Sequence, residues 1–289
     1  MQNYHDLLIE ATEKLIDLSD KSEFKNEFLF RAPPVLWFGN NSNNKEKILT
    51  LGANPSREEF LAEDKKKTII RIKKGESPKY LINSTKRFQL LRPNEKWNDI
   101  ITSQSLRDKI IDSYNNYFIK KPYKWFGKEK KHNEFSYNVE GFVNCFESSF
   151  YNGENKFQSI HIDLFPFATV SDFKSILKES EKHIFKDNWT NDFLNKLIDE
   201  INPKKIIVFG RTNLEYFIKL LGISNIGKEF HFTAITENGK KSVASYWSFK
   251  YRNISIIGLS VNLGNPVGFT KLTLNQFGNK IHNHVKNDE

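Results

Sequence analysis

The sequence predicts an α/β fold, in which a mostly parallel central sheet lies between two layers of helices. Four short apolar runs are typical of buried strands, and helical patterns separate them along the chain. These runs cover residues 47–52, 159–164, 205–210 and 254–259. Since strands that alternate with helices form parallel sheets covered on both faces, the pattern favours a three-layer α/β/α arrangement.

The helices are predicted from apolar residues that recur at helical spacing. Leu7, Leu8, Ala11 and Leu15 define the first, over residues 5–18. The other predicted helices cover 104–118, 139–149, 171–185, 189–201, a stretch from about 212, and 270–285. A short strand is predicted at 35–38, and Asn238-Gly239 between two alternating runs predicts a hairpin over about 229–249.

Length and charge limit the class of protein. The chain has 289 residues, with 44 Lys and Arg against 35 Asp and Glu, a net charge of +9. We expect a single domain over 1–289 with a basic insertion at about 61–82. Basic stretches that also hold aromatic residues favour a nucleic-acid partner over a membrane, although scattered surface lysines explain the charge equally well.

Cysteine content and the N-terminus favour an intracellular, cytoplasmic protein. Cys145 is the only cysteine, which excludes an internal disulfide and a cysteine-based zinc site. No signal sequence and no apolar segment of membrane-spanning length stand out. We expect a monomer that needs no metal and no cofactor.

The most informative motif is the loop that follows the first core strand, Gly52-Ala53-Asn54-Pro55-Ser56. A strand that ends in such a loop can present Asn54 at the mouth of a cleft, and Gly52 lets a flat ligand approach the backbone. A plain turn between strand and helix is the alternative explanation.

Four strand ends are expected to meet at one crevice, because ligands of such sheets bind beyond the carboxyl ends of the strands. In order and spacing they resemble the uracil-DNA glycosylase superfamily, over most of the chain from about residue 33. The four segments are Gly52 to Ser56, Ile162-Asp163-Leu164-Phe165-Pro166, Pro203 to Gly210, and Ser260 to Pro266. The first is similar to the Gly-x-Asn-Pro loop of the branch that removes mismatched thymine and uracil.

The resemblance implies a monofunctional DNA glycosylase with a uracil-DNA glycosylase-like fold, which flips a nucleotide out of the DNA and hydrolyses its glycosidic bond. Gly52 and Ala53 would line the base pocket. Asn54 would hold the attacking water, and Pro55 and Ser56 would touch the DNA backbone.

Asp163 departs from the family pattern, which usually has Asn at this strand end. A carboxylate only accepts hydrogen bonds, so it suits the N4 amino group of cytosine and opposes O4 of uracil or thymine. The departure predicts a cytosine-type base. As an alternative, Asp163 caps the following segment or pairs with a lysine.

The last segment lacks the His-Pro-Ser that the family usually has. Asn262 or Asn265 is a candidate replacement for that histidine, and Leu263 or Val267 for the apolar wedge that fills the gap left by the base. A catalytically silent loop is the alternative.

An enzyme that removed ordinary cytosine would destroy its host genome, so a modified cytosine, hydroxymethylated or glucosylated as in some phage DNA, is the predicted target. Phe60, Tyr80 and Phe88 are candidates to border its C5 substituent, and core packing is the alternative for these rings. The remaining predicted DNA contacts are Arg211, Asn265, Lys73, Lys74 and Lys124, and Trp125 and Phe126 are candidates for stacking on bases. The alternatives are a uracil or mismatch repair enzyme and an inactive DNA-binding protein on the same scaffold.

Overall fold

The computed structural model describes most of the chain. The described residues are 4–24, 26–29, 31–60, 87–120, 122–129, 136–151, 153–171, 173, 175–176, 184 and 187–287. The predicted basic insertion at 61–82 and most of the predicted helix at 171–185 therefore lie outside the described residues.

The described chain forms seven α-helices and seven strands. The helices are α1 Tyr4–Ser19, α2 Trp97–Thr102, α3 Gln104–Asn115, α4 Asn138–Val143, α5 Asn188–Ile201, α6 Arg211–Leu221 and α7 Lys271–Asn287. The strands are β1 Lys47–Gly52, β2 Ser148–Ser149, β3 Phe157–Asp163, β4 Lys205–Phe209, β5 Glu229–Ile235, β6 Lys241–Tyr251 and β7 Ile254–Leu259. Among these residues no helix is both long enough and apolar enough to cross a bilayer.

The strands form one sheet of seven, in the order β2-β3-β1-β4-β7-β6-β5. β4 lies parallel to β1 and to β7, and β2 lies parallel to β3. β6 runs antiparallel to both β7 and β5, and β5 and β6 form the hairpin expected around Asn238-Gly239. The carboxyl ends of β1, β4 and β7 therefore share one edge of the sheet.

Helices cover both faces of this sheet. Gly258 and Leu259 are neighbours on β7, so they face opposite sides. A Cβ on Gly258 would lie 2.6 Å from Leu214 of α6, which places α6 on one face. Leu259 pairs with Tyr246, whose hydroxyl lies 3.0 Å from Nδ1 of His284 on α7. The mostly parallel α/β prediction is confirmed, with helices in layers on either side of the sheet.

The chain divides into two compact units, each built from separate stretches. The first unit comprises Met1–Phe38, Ala53–Lys121 and Ile162–Ile201. The second unit comprises Gly39–Gly52, Pro122–His161 and Asn202–Glu289. Nearly all of the sheet belongs to the second unit, and the single-domain prediction stays a prediction.

The predicted helix at 139–149 is shorter in the structure. α4 ends at Val143, a 3₁₀ turn follows, and Glu147 adopts a left-handed conformation with φ +55° before β2 begins. Glu140 explains the break, because its buried carboxylate accepts hydrogen bonds from the Ser149 hydroxyl and the Phe150 N–H, at 2.7 and 3.0 Å. These bonds satisfy a buried charged group only if the chain turns back on itself. Residues 35–38 are buried, but they are not among the strands of the sheet.

Candidate active site

The loop that follows β1 is held by hydrogen bonds within the first unit. The Ala53 carbonyl accepts from the Phe165 N–H at 3.0 Å, and Arg57 Nη1 donates to the Val170 carbonyl at 2.7 Å. The exposed Ser56 caps the next turn, since its hydroxyl accepts from the Glu58 N–H at 3.2 Å. The loop is therefore fastened to the segment 165–170 at two points.

Asn54 lies in this loop, half-buried, with the orientation of its side chain determined by its partners. Nδ2 donates to the Phe167 carbonyl at 3.3 Å and to the Thr169 hydroxyl at 3.0 Å. A carbonyl oxygen can only accept, so the NH₂ group must face Phe167. The Thr169 hydroxyl donates to the Ser171 carbonyl at 2.8 Å, which makes it an acceptor toward Asn54. Oδ1 is consequently the atom turned away from these partners, as an acceptor for a further ligand.

Thr169 was not predicted, although it orients the most important predicted residue. It is buried and forms an antiparallel bridge with Phe28. The Val170 N–H donates to the Glu27 carbonyl at 2.7 Å, so the chain on either side of Thr169 is held in place. No spacing rule connects residues 28, 54 and 169, and only the folded chain brings them together.

Asp163 ends β3 on the neighbouring chain segment, and 6% of it is exposed. The bond between Ala53 and Phe165 joins the two segments, one residue from Asn54 and two residues from Asp163. The two principal predicted site residues thus lie on chain segments that the first unit holds side by side. Gly52 is buried at the end of β1, and Ala53 is half-buried.

A second buried carboxyl group, Glu59, accompanies Asp163 and was not predicted. Its two oxygens accept from the Tyr117 hydroxyl at 2.8 Å and from Arg87 Nη1 at 3.0 Å, and 3% of Glu59 is exposed. Burial raises the pKa of Glu59 to about 7, and the charge of Asp163 adds to this rise, whereas Arg87 and Tyr117 oppose it. The sequence Arg-Glu-Glu-Phe does not indicate which of its two glutamates turns inward.

This pKa has a consequence for stability. A carboxyl group whose pKa is raised on folding binds its proton more tightly in the folded state than in the unfolded state. The free energy of unfolding therefore falls as the pH rises from the ordinary value of 4.5 to about 7. The loss amounts to about 3 kcal/mol, at about 1.4 kcal/mol for each pKa unit.

We expect Glu59→Gln to remove this pH dependence, because glutamine keeps an acceptor but carries no charge. Urea unfolding of the variant and of the natural protein at pH 5 and pH 8 measures the change. From pH 5 to pH 8, the free energy of unfolding of the variant should rise by about 2 to 3 kcal/mol relative to that of the natural protein. Glu58→Gln, on the same turn, is the control and should not gain. Equal pH dependence in Glu59→Gln and the natural protein would contradict the assignment.

Phe60 and Phe88, predicted to border the base, are packed into an aromatic cluster of the first unit. Both are buried, and their rings stack on each other with centroids 5.6 Å apart. Phe88 also stacks on Tyr117 at 4.9 Å. In the structure both rings pack in the core, and their part in base binding stays a prediction. Pro55 is buried, which counts against its predicted contact with the DNA backbone.

The second unit holds the loops that follow β4 and β7. Gly210, with φ +90°, begins the turn into α6, and a Cβ there would lie 4.0 Å from Cβ of Asn262. Asn262 is exposed, and its Oδ1 accepts from the Gly264 N–H at 3.0 Å. Asn262 is the candidate replacement for the missing histidine, and this bond already uses its Oδ1 within its own turn.

The two candidate wedge residues differ in exposure. Leu263 is fully buried, so it is wrong as a wedge, because a side chain inside the core cannot enter DNA. Val267 is 80% exposed. Asn265, a predicted DNA contact, is also exposed.

Trp125 packs directly on the backbone of Gly264. A Cβ on Gly264 would lie 1.4 Å from Nε1 of Trp125, so only glycine fits there. The indole also contacts His161 and Phe209, with centroids 5.4 and 5.2 Å away, and it is half-buried. Its stacking on bases stays a prediction. Phe126 is buried, which counts against its predicted stacking.

The predicted DNA-binding cations differ in how they are placed. Lys124 is exposed, and Lys73 and Lys74 lie outside the described residues. Arg211 makes an ion pair with Glu229, at 3.2 Å, and its guanidinium lies 5.1 Å from the centre of the Trp247 ring. Arg211 is thus the first residue of α6, directly after the loop that follows β4, and a carboxylate lies beside it. Its contact with DNA stays a prediction.

The polar groups of the first unit can position water and accept hydrogen bonds. They are one carboxamide oxygen with a set direction and two buried carboxyl groups. In the part of the chain that the structure describes, no three His, Cys, Asp or Glu side chains are grouped as around a metal ion.

The fold and these loops define an α/β protein with a polar candidate site beside the end of β1. Comparison with known proteins leaves its family open. No family model matches the chain, and no curated protein matches it significantly.

Proposed function

We propose that this protein is a monofunctional DNA glycosylase that removes a modified cytosine and leaves an abasic site. The observation that carries the proposal is the orientation of Asn54, whose NH₂ group is held by Phe167 and Thr169. This arrangement leaves Oδ1 to accept a hydrogen bond from a water molecule. The resemblance of the surrounding motif to the Gly-x-Asn-Pro loop of the uracil-DNA glycosylase superfamily adds support.

In the proposed reaction, Asn54 only has to position the attacking water molecule. The bond between C1′ of the sugar and the base nitrogen breaks, and its electron pair leaves with the base. The water oxygen then bonds to C1′ and releases a proton to solvent, while the departing base takes up a proton. A carboxamide is a poor base, but it can direct a water molecule at a carbon that already carries positive charge. Slow turnover is the expected result.

Asp163 is the proposed reader of the base. Its carboxylate accepts a hydrogen bond from the N4 amino group of cytosine, which uracil and thymine lack. Its burial supports this role, because a hydrogen bond lost in a buried site is costly and therefore discriminates strongly between bases. A requirement for a substituent on the base would protect unmodified host DNA, so defence against phages with modified cytosine is the proposed biological role.

The net charge of +9 supports DNA as the partner. Lysine and arginine side chains that replace counterions along the phosphates would make binding weaken as the salt concentration rises.

The test is abasic-site formation on a panel of DNAs that contain uracil, mismatched thymine, plain cytosine, hydroxymethylcytosine or glucosylated hydroxymethylcytosine. Alkali then cleaves wherever a base has been lost. We expect cleavage only at the modified cytosines. Cleavage at uracil or thymine would overturn the role of Asp163, and no cleavage at any base would overturn the enzymatic function. Salt-sensitive binding without cleavage would favour a DNA-binding protein on this scaffold.

A further inference from the structure

A carboxylate of the protein occupies a cradle of hydrogen-bond donors and positive charge at the sheet edge of the second unit. Glu229, the first residue of β5, lies 3.2 Å from Nη2 of Arg211. The pKa of Glu229 is lowered, chiefly by the Ser245 hydroxyl and further by the charges of Arg211 and His231. These donors are the types that bind phosphate in other proteins.

The strand register explains why these groups meet. His231 pairs with Ser245 across β5 and β6, and its Nδ1 lies 3.1 Å from the serine hydroxyl. Glu229 is two residues before His231, so both side chains are on the same face of the hairpin. Arg211 reaches this face from the first turn of α6, and its guanidinium lies over Trp247, the strand partner of Glu229.

We propose that this cradle of Arg211, Ser245 and His231 is a binding site for a phosphate of the DNA backbone, and that Glu229 occupies it until DNA binds. The ligand rests on the proposed function, which supplies DNA as the partner. The side chains of Arg211 and Glu229 are 55% and 35% exposed, so an incoming phosphate can reach the pair.

The exchange is energetically accessible. An exposed ion pair contributes about 0–1 kcal/mol, because solvent screens it and both side chains lose freedom. A phosphodiester offers the arginine two oxygens in a matching geometry, and the contact releases a counterion from the DNA. Glu229 consequently lowers the affinity for DNA by competing for Arg211, and it disfavours other weakly bound anions in the same way.

Three variants test the proposal with a fluorescently labelled DNA duplex at several salt concentrations. Glu229→Gln removes the competing charge. Glu237→Gln is the matched control, since Glu237 is exposed in the hairpin turn and its replacement changes the net charge equally. The double variant Arg211→Gln, Glu229→Gln removes the cation that the first change releases.

We expect Glu229→Gln to bind DNA about three- to tenfold more tightly than Glu237→Gln, and its plot of affinity against salt to be steeper by about one phosphate contact. The double variant should lose this gain. Equal affinities for the two single variants would overturn the proposal, and so would a gain that persists without Arg211. Competition by inorganic phosphate at constant ionic strength separates a site for free phosphate from one that needs DNA. If inorganic phosphate releases Glu229→Gln from the DNA when its concentration only equals that of the DNA phosphates, the DNA assignment is overturned.

This experiment measures binding alone, so its outcome is separate from that of the proposed function. If the natural protein binds DNA but forms no abasic sites, the glycosylase proposal fails and the cradle is still tested. If abasic sites form but the two single variants bind alike, only the cradle fails.

Discussion

Asn54→Ala should reduce base release by about 10³-fold and leave DNA affinity within about twofold of the natural protein. Alanine removes the oxygen that is proposed to direct the water, whereas charged residues elsewhere are expected to make the phosphate contacts that supply most of the affinity. Single-turnover release of base from the preferred DNA of the panel measures the first quantity. Fluorescence anisotropy with the same DNA measures the second.

The control for this change is Asn98→Ala, which removes an exposed carboxamide from α2 in the same unit. It should not alter base release. Thr169→Val keeps the shape of the side chain but removes the acceptor that orients Asn54, so we expect an intermediate loss. Restoration by Thr169→Ser would show that the hydroxyl is responsible. Base release that survives Asn54→Ala at the natural rate would disprove the assigned role.

Asp163→Asn should change the preferred base. An asparagine can donate to O4 of uracil and accept from its N3–H, whereas the aspartate only accepts. One favourable contact is lost with cytosine and one is gained with uracil, each worth about 1–3 kcal/mol. The ratio of the two rates should therefore shift by about 10²-fold or more.

The rates of base release from modified-cytosine DNA and uracil DNA, measured side by side, give this ratio. Asp192→Asn makes the same chemical change at an exposed position on α5 and should leave the ratio as it is. Thermal unfolding of Asp163→Asn checks that the fold survives the loss of a buried charge. A variant that is folded and equally slow on both bases would assign Asp163 to structure instead of base recognition.

The strands were the most predictable part of the fold. β1, β4 and β7 lie where their apolar runs predicted them, because a strand buried on both faces leaves a continuous apolar stretch in the sequence. The hairpin was predictable for a similar reason, since Asn-Gly is the preferred pair for a tight turn between strands. The end of α4 was not predictable, because it depends on Glu140 and its contacts with Ser149 and Phe150.

The features of the candidate site also differ in how far the sequence predicts them. The position of Asn54 after β1 follows from local sequence, and so does the end of β3 at Asp163. Which glutamate of the next turn is buried depends on Arg87 and Tyr117, which lie 28 and 58 residues away along the chain. The aromatic residues near the loop pack on one another, and no sequence pattern separates a core ring from one that binds a base.

The sequence by itself determined the positions of the core strands β1, β4 and β7, the basic charge, and the placement of an asparagine loop at the end of a core strand. Only the tertiary structure decided which way the Asn54 carboxamide points. Its partners Phe167 and Thr169 lie 113 and 115 residues further along the chain. Local sequence preferences act over a few residues, whereas the direction of a buried hydrogen bond is decided by whichever donor or acceptor the folded chain places opposite it.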